Sequence, residues 1–331
     1  MDWPSGLHSL RRGGGIASRA VVARLRERGP AAPETCPPVP GRLVVLRDFG
    51  ANPGLLRLRA YVPARAVRPG APLIVLLHGC GQDAADFAAE AGWTDLADRL
   101  RLPLLLPEQL AENNRHRCFR WFHLAEARRG HGEAASIAAM TAAAAARFQS
   151  DPRQVFVAGL SAGGAMAAAL LAAYPDVFAA GAAFAGLPVG EATSMVRALT
   201  IMAHGGRDAT PAEWIARARQ VAPPDYRGPW PRLSVWHGDA DPVVVPSNGA
   251  QLAAQWRALH GLPEAPAAQN AEAPAAQNAL HQAWGDAVEL WTLPRLGHAW
   301  AIGAGAGRPS QFAVQGPIDA VSEIVRFWRI G

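Results

Sequence analysis

Short apolar runs alternate with segments of helical hydrophobic spacing along most of this chain. Alternating apolar and polar positions in residues 43–46 and 55–62 predict an antiparallel hairpin. Continuous apolar runs predict buried strands at residues 73–77, 102–106, 154–158, 177–184, 199–203, 233–237 and 288–293. Helical spacing predicts helices at residues 83–100, 132–148, 162–173, 246–259 and 314–328. The alternation of strand and helix predicts an α/β fold with one doubly wound, mostly parallel sheet.

Three segments fall outside this alternation. Residues 1–40 are basic and then Pro-rich, which predicts a flexible N-terminal extension ahead of a single domain at residues 41–331. Residues 190–231 are long and rich in Arg and Pro, which predicts a short excursion that covers part of a cleft. Residues 264–279 repeat the octapeptide Glu-Ala-Pro-Ala-Ala-Gln-Asn-Ala, which predicts a disordered surface loop.

Composition and charge argue against membrane-spanning, nucleic-acid-binding and cofactor-dependent proteins. Half of the 331 residues are hydrophobic, yet no apolar run approaches the ~18 residues of a membrane span, so we expect no such span. The net charge is +5, from 32 arginines and no lysine against 27 acidic residues, and the scatter of the arginines predicts no nucleic-acid partner. No zinc-ligand spacing and no phosphate loop occur, so we expect neither metal nor cofactor. Residues 1–30 do not match a secretory signal, which leaves a cytoplasmic location open.

The segment Gly159-Leu160-Ser161-Ala162-Gly163 follows an apolar run and opens an Ala-rich helical stretch. Gly-x-Ser-x-Gly between a strand and a helix is typical of the nucleophile elbow of an α/β-hydrolase. The serine sits there on a strained turn, and the glycines avoid collisions with neighbouring backbone. The sequence therefore predicts that Ser161 is a catalytic nucleophile.

A serine nucleophile needs a histidine base and a carboxylate that orients it. In α/β-hydrolases the carboxylate follows the serine along the chain, and the histidine follows the carboxylate. His298 comes after the predicted strand 288–293 and is the predicted base. Asp241 follows strand 233–237 and leads into a helix, so it is the preferred acid. Asp208 and Asp239 lie in similar frames and remain alternatives. We expect His204 and His237 to support the turns after their strands.

Acyl transfer also needs hydrogen-bond donors for the oxyanion that forms in the transition state. The backbone N–H of Ala162 follows the nucleophile at a helix N-terminus, where such a donor is usual. The segment His78-Gly79-Cys80-Gly81-Gln82 follows strand 73–77, and we assign the second donor to the Cys80 N–H. Trp121 and Trp300 flank the predicted catalytic loops and are predicted to contact substrate.

Several motifs in order give the chain a family resemblance. The motifs are His78-Gly79-Cys80-Gly81-Gln82, Gly92-Trp93, Pro107-Glu108-Gln109, Arg117-Cys118-Phe119-Arg120-Trp121-Phe122, Arg129-Gly130-His131-Gly132-Glu133, the elbow, and Trp236-His237-Gly238-Asp239-Ala240-Asp241. Together they resemble the poly(3-hydroxybutyrate) depolymerase-type esterases of the α/β-hydrolase superfamily. The resemblance implies catalysis by Ser161, Asp241 and His298. It implies a substrate of the poly- or oligo(3-hydroxybutyrate) type, with feruloyl or acetylxylan ester cleavage as the alternative, and a non-catalytic binding protein as an alternative of another class.

The resemblance carries further expectations. Cys80 and Cys118 stand at family-like positions, which implies a disulfide, with two buried free thiols as the alternative. Members of the family are typically exported, which implies an extracellular or periplasmic location. Arg120 stands where relatives usually carry a neutral side chain, and its cation predicts an altered leaving-group preference.

Overall fold

The computed structural model describes residues 40–269 and 279–331, so the predicted N-terminal extension lies outside it except for Pro40. Ten strands of the described residues form one sheet. They are β1 (Arg42–Val45), β2 (Arg57–Val62), β3 (Leu73–Leu77), β4 (Leu104–Glu108), β5 (Val155–Leu160), β6 (Ala180–Phe184), β7 (Arg232–Gly238), β8 (Ala268–Gln269), β9 (Leu280–Trp284) and β10 (Val288–Leu293). Two short strands, β11 (Trp300–Ile302) and β12 (Ala313–Gln315), pair separately.

The order across the large sheet is β1-β2-β4-β3-β5-β6-β7-β10-β9-β8. The six central strands are parallel to one another. Each of the four outer strands, β1, β2, β9 and β8, runs antiparallel to the next strand inward. In the register, Leu160 pairs with Phe184, Phe184 with Trp236, and Trp236 with Trp291. The carboxyl ends of β5, β6, β7 and β10 therefore meet at one edge of the sheet, where ligands bind in open α/β sheets.

Helices cover both faces of the sheet. They are α1 (Ala84–Glu90), α2 (Trp93–Leu100), α3 (Leu124–Ala127), α4 (Gly132–Phe148), α5 (Ala162–Ala173), α6 (Met195–His204), α7 (Pro211–Arg219), α8 (Ser247–His260) and α9 (Ala320–Trp328). The buried strand β3 shows why both faces are apolar. Its Ile74 and Leu76 join the core with α1, α2 and α9, whereas Leu73, Val75 and Leu77 join the core with α4, α5 and α8. None of the helices described here is long and apolar enough to span a bilayer.

Three predicted elements differ from the structure. The helix predicted at residues 83–100 is two helices, because Gly92 has a φ of 86° that interrupts the first. The strand predicted at residues 199–203 is wrong, since these residues lie in α6, whose first turn is capped by Ser194. The helix predicted at residues 314–328 starts only at Ala320, because its first residues pair in β12 and Pro317 follows.

The excursion at residues 190–231 carries α6 and α7 and is fixed to α8 by two glutamines one turn apart. Gln255 accepts a hydrogen bond from Val189 N–H at 2.8 Å and donates to its carbonyl at 2.9 Å. Gln251 likewise accepts a hydrogen bond from Gly206 N–H at 3.1 Å and donates one to Gly206 O at 3.0 Å. The carbonyl of Met202, near the end of α6, accepts a bond from the loop after β7. The excursion therefore lies beside that loop.

The octapeptide repeat is described only in part. Two residues of the first copy form β8, which pairs antiparallel with β9, and Ala267 N–H donates to Ala283 O at 2.9 Å. Backbone groups at the edge strand β9 pair with this piece. The disorder predicted for residues 264–279 stays a prediction. Residues 270–278, which hold most of the second copy, lie outside the described residues.

Candidate active site

The turn between β5 and α5 holds Ser161 in a strained backbone conformation. Ser161 has φ 58° and ψ −120°, a region that side-chain-bearing residues rarely adopt. Its N–H donates to Phe184 O at 2.8 Å, which ties the turn to β6. A Cβ on Gly159 would collide with the backbone of Gly163, and a Cβ on Gly163 would collide with Leu77 O. The two glycines are therefore required by close backbone packing.

Asp241 and His298 form a hydrogen-bonded pair at the same edge. Asp241 lies after β7 and His298 after β10, and Asp241 Oδ2 is 2.8 Å from His298 Nδ1. The other carboxylate oxygen accepts from Val243 N–H at 2.8 Å and Val244 N–H at 2.9 Å. Since an ionised carboxylate only accepts, the hydrogen bond assigns the proton to Nδ1 and leaves Nε2 as the basic nitrogen.

The electrostatics favour an ionised Asp241. Its side chain is fully buried, and burial alone raises the pKa of a carboxyl group. The nearby His237 side chain, the hydrogen bond and charge of His298, and the hydrogen bond from Val244 N–H outweigh burial and hold the pKa of Asp241 well below its usual range. A permanent negative charge is thus available to stabilise a protonated His298.

The other candidate acids occupy different surroundings. Asp239 is exposed and accepts a hydrogen bond from Arg295 N–H at 2.6 Å. Asp208 is also exposed, and its nearest described donor is Gln251 Nε2 at 3.4 Å. The geometry therefore supports Asp241 as the partner of His298.

The two supporting histidines differ from each other. His237 is buried, and its Nε2 donates to Val244 O at 2.7 Å, which braces the turn that carries Asp241. His204 is the exposed last residue of α6, so the expectation that it supports a turn after a strand is wrong.

Ser161 and His298 are separated by the positions of two strands, β6 and β7, along the sheet edge. The hydroxyl of Ser161 makes no hydrogen bond within residues 40–269 and 279–331. Catalytic hydrogen bonds are often long without substrate and tighten in the complex. The His298 side chain is 13% exposed and Ser161 is 6% exposed, so each presents only a small part of its surface to solvent.

The backbone N–H groups of Cys80 and Ala162 have no hydrogen-bond acceptor in the described parts of the chain. The loop of Cys80 passes close to the nucleophile, because a Cβ on Gly79 would lie 3.6 Å from Ser161 Cβ. Gly79 N–H is itself used, since it donates to Gln82 Oε1 at 2.8 Å. Unpaired donors beside a nucleophile are the feature that an oxyanion hole requires.

His78 supports this loop as a neutral side chain. Burial lowers the pKa of His78 to about 4. Its Nδ1 donates to Gly79 O at 2.8 Å, and its Nε2 accepts from Gln109 N–H at 3.1 Å. We did not predict Gln82 or Gln109 as site residues. The available signal was their position in the His-Gly-Cys-Gly-Gln and Pro-Glu-Gln motifs.

The two tryptophans that were predicted to bind substrate differ in their burial. Trp300 has no exposed surface and packs against Phe87, Trp93 and Phe184, with ring centroids 4.9–6.0 Å apart. The prediction that Trp300 contacts substrate directly is therefore wrong, because the aromatic core encloses this side chain. Trp121 is partly buried beside Phe122, and its substrate contact stays a prediction.

The structure joins Cys80 and Cys118 in a disulfide across 38 residues of sequence. Arg120, two residues later, pairs through Nε with Glu133 at 3.1 Å and through Nη2 with Glu126 at 3.1 Å. Two carboxylates thus balance the cation that we expected to act on the leaving group. No cluster of three or more His, Cys, Asp or Glu side chains in the described residues is arranged to hold a metal ion.

Comparison with known proteins assigns the family. Residues 56–277 match the family described as esterase PHB depolymerase. The chain belongs to this family. It is 38% identical over 268 residues to poly(3-hydroxyalkanoate) depolymerase C of Paucimonas lemoignei, covering 80% of this chain and 63% of that protein. It is 35% identical over 244 residues to an acetylxylan esterase of Coprinopsis cinerea, covering 72% and 63%. This chain thus spans about 63% of the length of these two relatives.

A solved structure agrees with the fold. The acetyl xylan esterase from Aspergillus awamori superposes with a TM-score of 0.75 at 23% identity, over 88% of this chain and all of the other. At that identity the likeness concerns the fold alone. The predicted α/β-hydrolase fold and the predicted family are both confirmed.

Proposed function

We propose that this chain is a serine carboxylic-ester hydrolase that acts through an acyl-enzyme. The observation that carries the proposal is the 2.8 Å hydrogen bond between buried Asp241 and His298, at the sheet edge that also bears the strained Ser161. Family membership supports the same reaction class.

In the first half-reaction, Ser161 Oγ attacks the ester carbonyl carbon while its proton passes to His298 Nε2. Asp241 holds the imidazole and stabilises its positive charge. The carbonyl oxygen becomes an oxyanion that accepts hydrogen bonds from the N–H groups of Cys80 and Ala162. The intermediate collapses, the C–O bond to the alcohol breaks, and His298 protonates the departing alkoxide. Water then attacks the acyl-enzyme by the same steps and releases the acid.

We propose short-chain 3-hydroxyalkanoate esters, as polymer or oligomer, as the substrates. The name of the Paucimonas lemoignei relative supports this class. A small buried apolar cluster on the same side of the sheet edge also supports it, because it includes Ala165 of the first turn of α5 and Val244 beside Asp241. Trp121 packs on this cluster and is the proposed substrate contact.

Acetylxylan or feruloyl ester cleavage is the second candidate, supported by the names of other relatives. A non-catalytic binding protein is the candidate of another class. A binding protein has no need of a strained serine near a hydrogen-bonded Asp241–His298 pair, so these features favour an enzyme.

The test compares turnover of 4-nitrophenyl butyrate, methyl ferulate and a poly(3-hydroxybutyrate) suspension by the wild-type chain and Ser161→Ala. We expect butyrate and polyester turnover, lost in the variant. Equal turnover by Ser161→Ala would reject the mechanism, and a preference for ferulate would reject only the substrate class.

We further propose an extracellular or periplasmic location. The Cys80–Cys118 disulfide supports it, because disulfides persist in oxidising compartments. Alkylation of protein from the native host without reductant should modify one of the three cysteines in each chain. Alkylation of all three would contradict the location.

A further inference from the structure

A buried carboxylate, Glu133, lies at the second position of α4 and takes no part in the reaction steps above. Its Oε1 accepts from Gln109 Nε2 at 2.5 Å and from Arg120 Nε at 3.1 Å. Its Oε2 accepts from the backbone N–H of Arg120 at 2.7 Å. A buried carboxylate is tolerated only when it is paired and hydrogen-bonded, and these contacts tie α4 to two other segments, those of Gln109 and Arg120.

The first route from Glu133 runs through Gln109. Gln109 follows β4, and its backbone N–H donates to His78 Nε2 at 3.1 Å. His78 Nδ1 in turn donates to Gly79 O at 2.8 Å. Gly79 C=O and Cys80 N–H belong to the same planar trans peptide group, in which the two bonds point in opposite directions. Fixing the carbonyl on one side therefore aims the Cys80 N–H on the other side.

The second route runs through the segment 116–120. Glu133 holds the backbone N–H of Arg120, and Gln109 Nε2 also donates to Cys118 O at 3.3 Å. Cys118 is bonded covalently to Cys80. His116 O accepts from Gly81 N–H at 2.8 Å, which fastens the next residue of the same loop.

Both routes begin at one carboxylate and end in the loop of Cys80: the first on the carbonyl of the Gly79–Cys80 peptide group, the second on the Cys80 side chain and on Gly81 N–H. We propose that Glu133 is a positioning residue that aims the Cys80 N–H at the oxyanion. The inference rests on the proposed function and extends it, since Glu133 itself does not touch the substrate.

The proposal has a kinetic signature. The oxyanion exists only in the transition state, so a misdirected donor lowers kcat and leaves KM nearly unchanged. Removing such a donor altogether costs ~10²–10³ in rate. We expect Glu133→Gln to lower kcat by about 10- to 100-fold with KM within about threefold of wild type, because an amide can accept only one of the two hydrogen-bond sets.

The experiment measures kcat and KM for 4-nitrophenyl butyrate, and the inhibition constant of butylboronic acid, whose tetrahedral adduct on Ser161 needs the same donors. The matched control is Glu289→Gln, which changes a buried carboxylate on β10 that is hydrogen-bonded to Ser234 and His281. In Glu133→Gln the inhibition constant should rise by the factor by which kcat/KM falls. In the control both should stay within about twofold of wild type.

A Glu133→Gln variant with kcat within about twofold of wild type, or with a loss matched by Glu289→Gln, would overturn the proposal. If Glu133→Gln does not fold, Gln109→Leu decides, because it removes the amide that links Glu133 to the first route and to Cys118 O, and leaves Glu133 paired with Arg120. Its kcat should fall at constant KM, and unchanged kcat would overturn the proposal. Failure of the proposed function is distinguishable, since wild-type turnover would then be absent or insensitive to Ser161→Ala.

Discussion

Replacing Asp241 by asparagine should invert the hydrogen bonding at His298. In the structure Asp241 Oδ1 accepts from two backbone donors, Val243 N–H and Val244 N–H. The introduced amide must keep its oxygen there, because its NH₂ group cannot face two donors. The NH₂ group then occupies the site of Oδ2, 2.8 Å from His298 Nδ1. His298 must accept at Nδ1 and carry its proton on Nε2, where it can no longer take the proton of Ser161.

The expected magnitude follows from this tautomer. A comparable Asp-to-Asn change in a serine protease leaves the geometry intact and lowers kcat by ~10⁴. We expect Asp241→Asn to lower kcat by about 10³- to 10⁴-fold, equivalent to about 4–5.5 kcal/mol of transition-state stabilisation. KM should change by less than about threefold, because the substituted atom lies behind the imidazole and does not contact substrate.

The assay is steady-state hydrolysis of 4-nitrophenyl butyrate at neutral pH, with the fold of each variant checked by circular dichroism. Asp239→Asn and Asp208→Asn are the matched controls, since each is an aspartate that follows a similar sequence frame but is exposed. Both should retain activity within about threefold of wild type. The reasoning is refuted if Asp241→Asn is nearly as active as wild type while either control loses activity.

Three further predictions follow from the site and its supports. Cys118→Ala should lower the free energy of unfolding by about 2–4 kcal/mol, because the bond to Cys80 closes a loop of 38 residues; unchanged denaturant unfolding would contradict this. Burial raises the pKa of Glu133 from 4.5 to about 7, so the folded chain keeps a proton that the unfolded chain loses, and stability falls as pH rises through that window. Between pH 4.5 and 7 the free energy of unfolding of Glu133→Gln should therefore fall by about 3 kcal/mol less than that of wild type. If the two proteins differ by the same free energy at both pH values, the prediction is contradicted. Trp300→Ala should lower the free energy of unfolding by about 3–5 kcal/mol, whereas Trp121→Ala should mainly raise KM; the reverse pattern in thermal melts and kinetics would be contradictory.

The central strands and the elbow were predictable because local chemistry specifies them. A strand such as β3 that is buried on both faces must be apolar throughout, and that pattern is visible in the sequence. The elbow needs glycines where neighbouring backbone leaves no room for a Cβ, so Gly159 and Gly163 mark it. The order of Ser161, Asp241 and His298 follows from the order of parallel strands whose ends share an edge.

Tertiary packing determined the features that were missed. The apolar run at residues 199–203 fits a strand or a helix equally well, and the Ser194 cap together with docking of the excursion on α8 selects the helix. Trp300 lies next to a catalytic loop in sequence, yet its ring turns into the aromatic core, which no linear pattern reveals. The Arg120 charge is balanced by Glu133, which is 13 residues away in sequence and is brought close only by the fold.

Labelling with a fluorophosphonate tests the central claim most directly, because the probe forms a covalent bond only with an activated serine. Intact mass and peptide sequencing of the folded wild-type chain should show one adduct, on Ser161. The Ser161→Ala variant should show none. A folded wild-type chain that stays unlabelled, or that carries its adduct on another residue, would contradict the claim that Ser161 is the activated nucleophile.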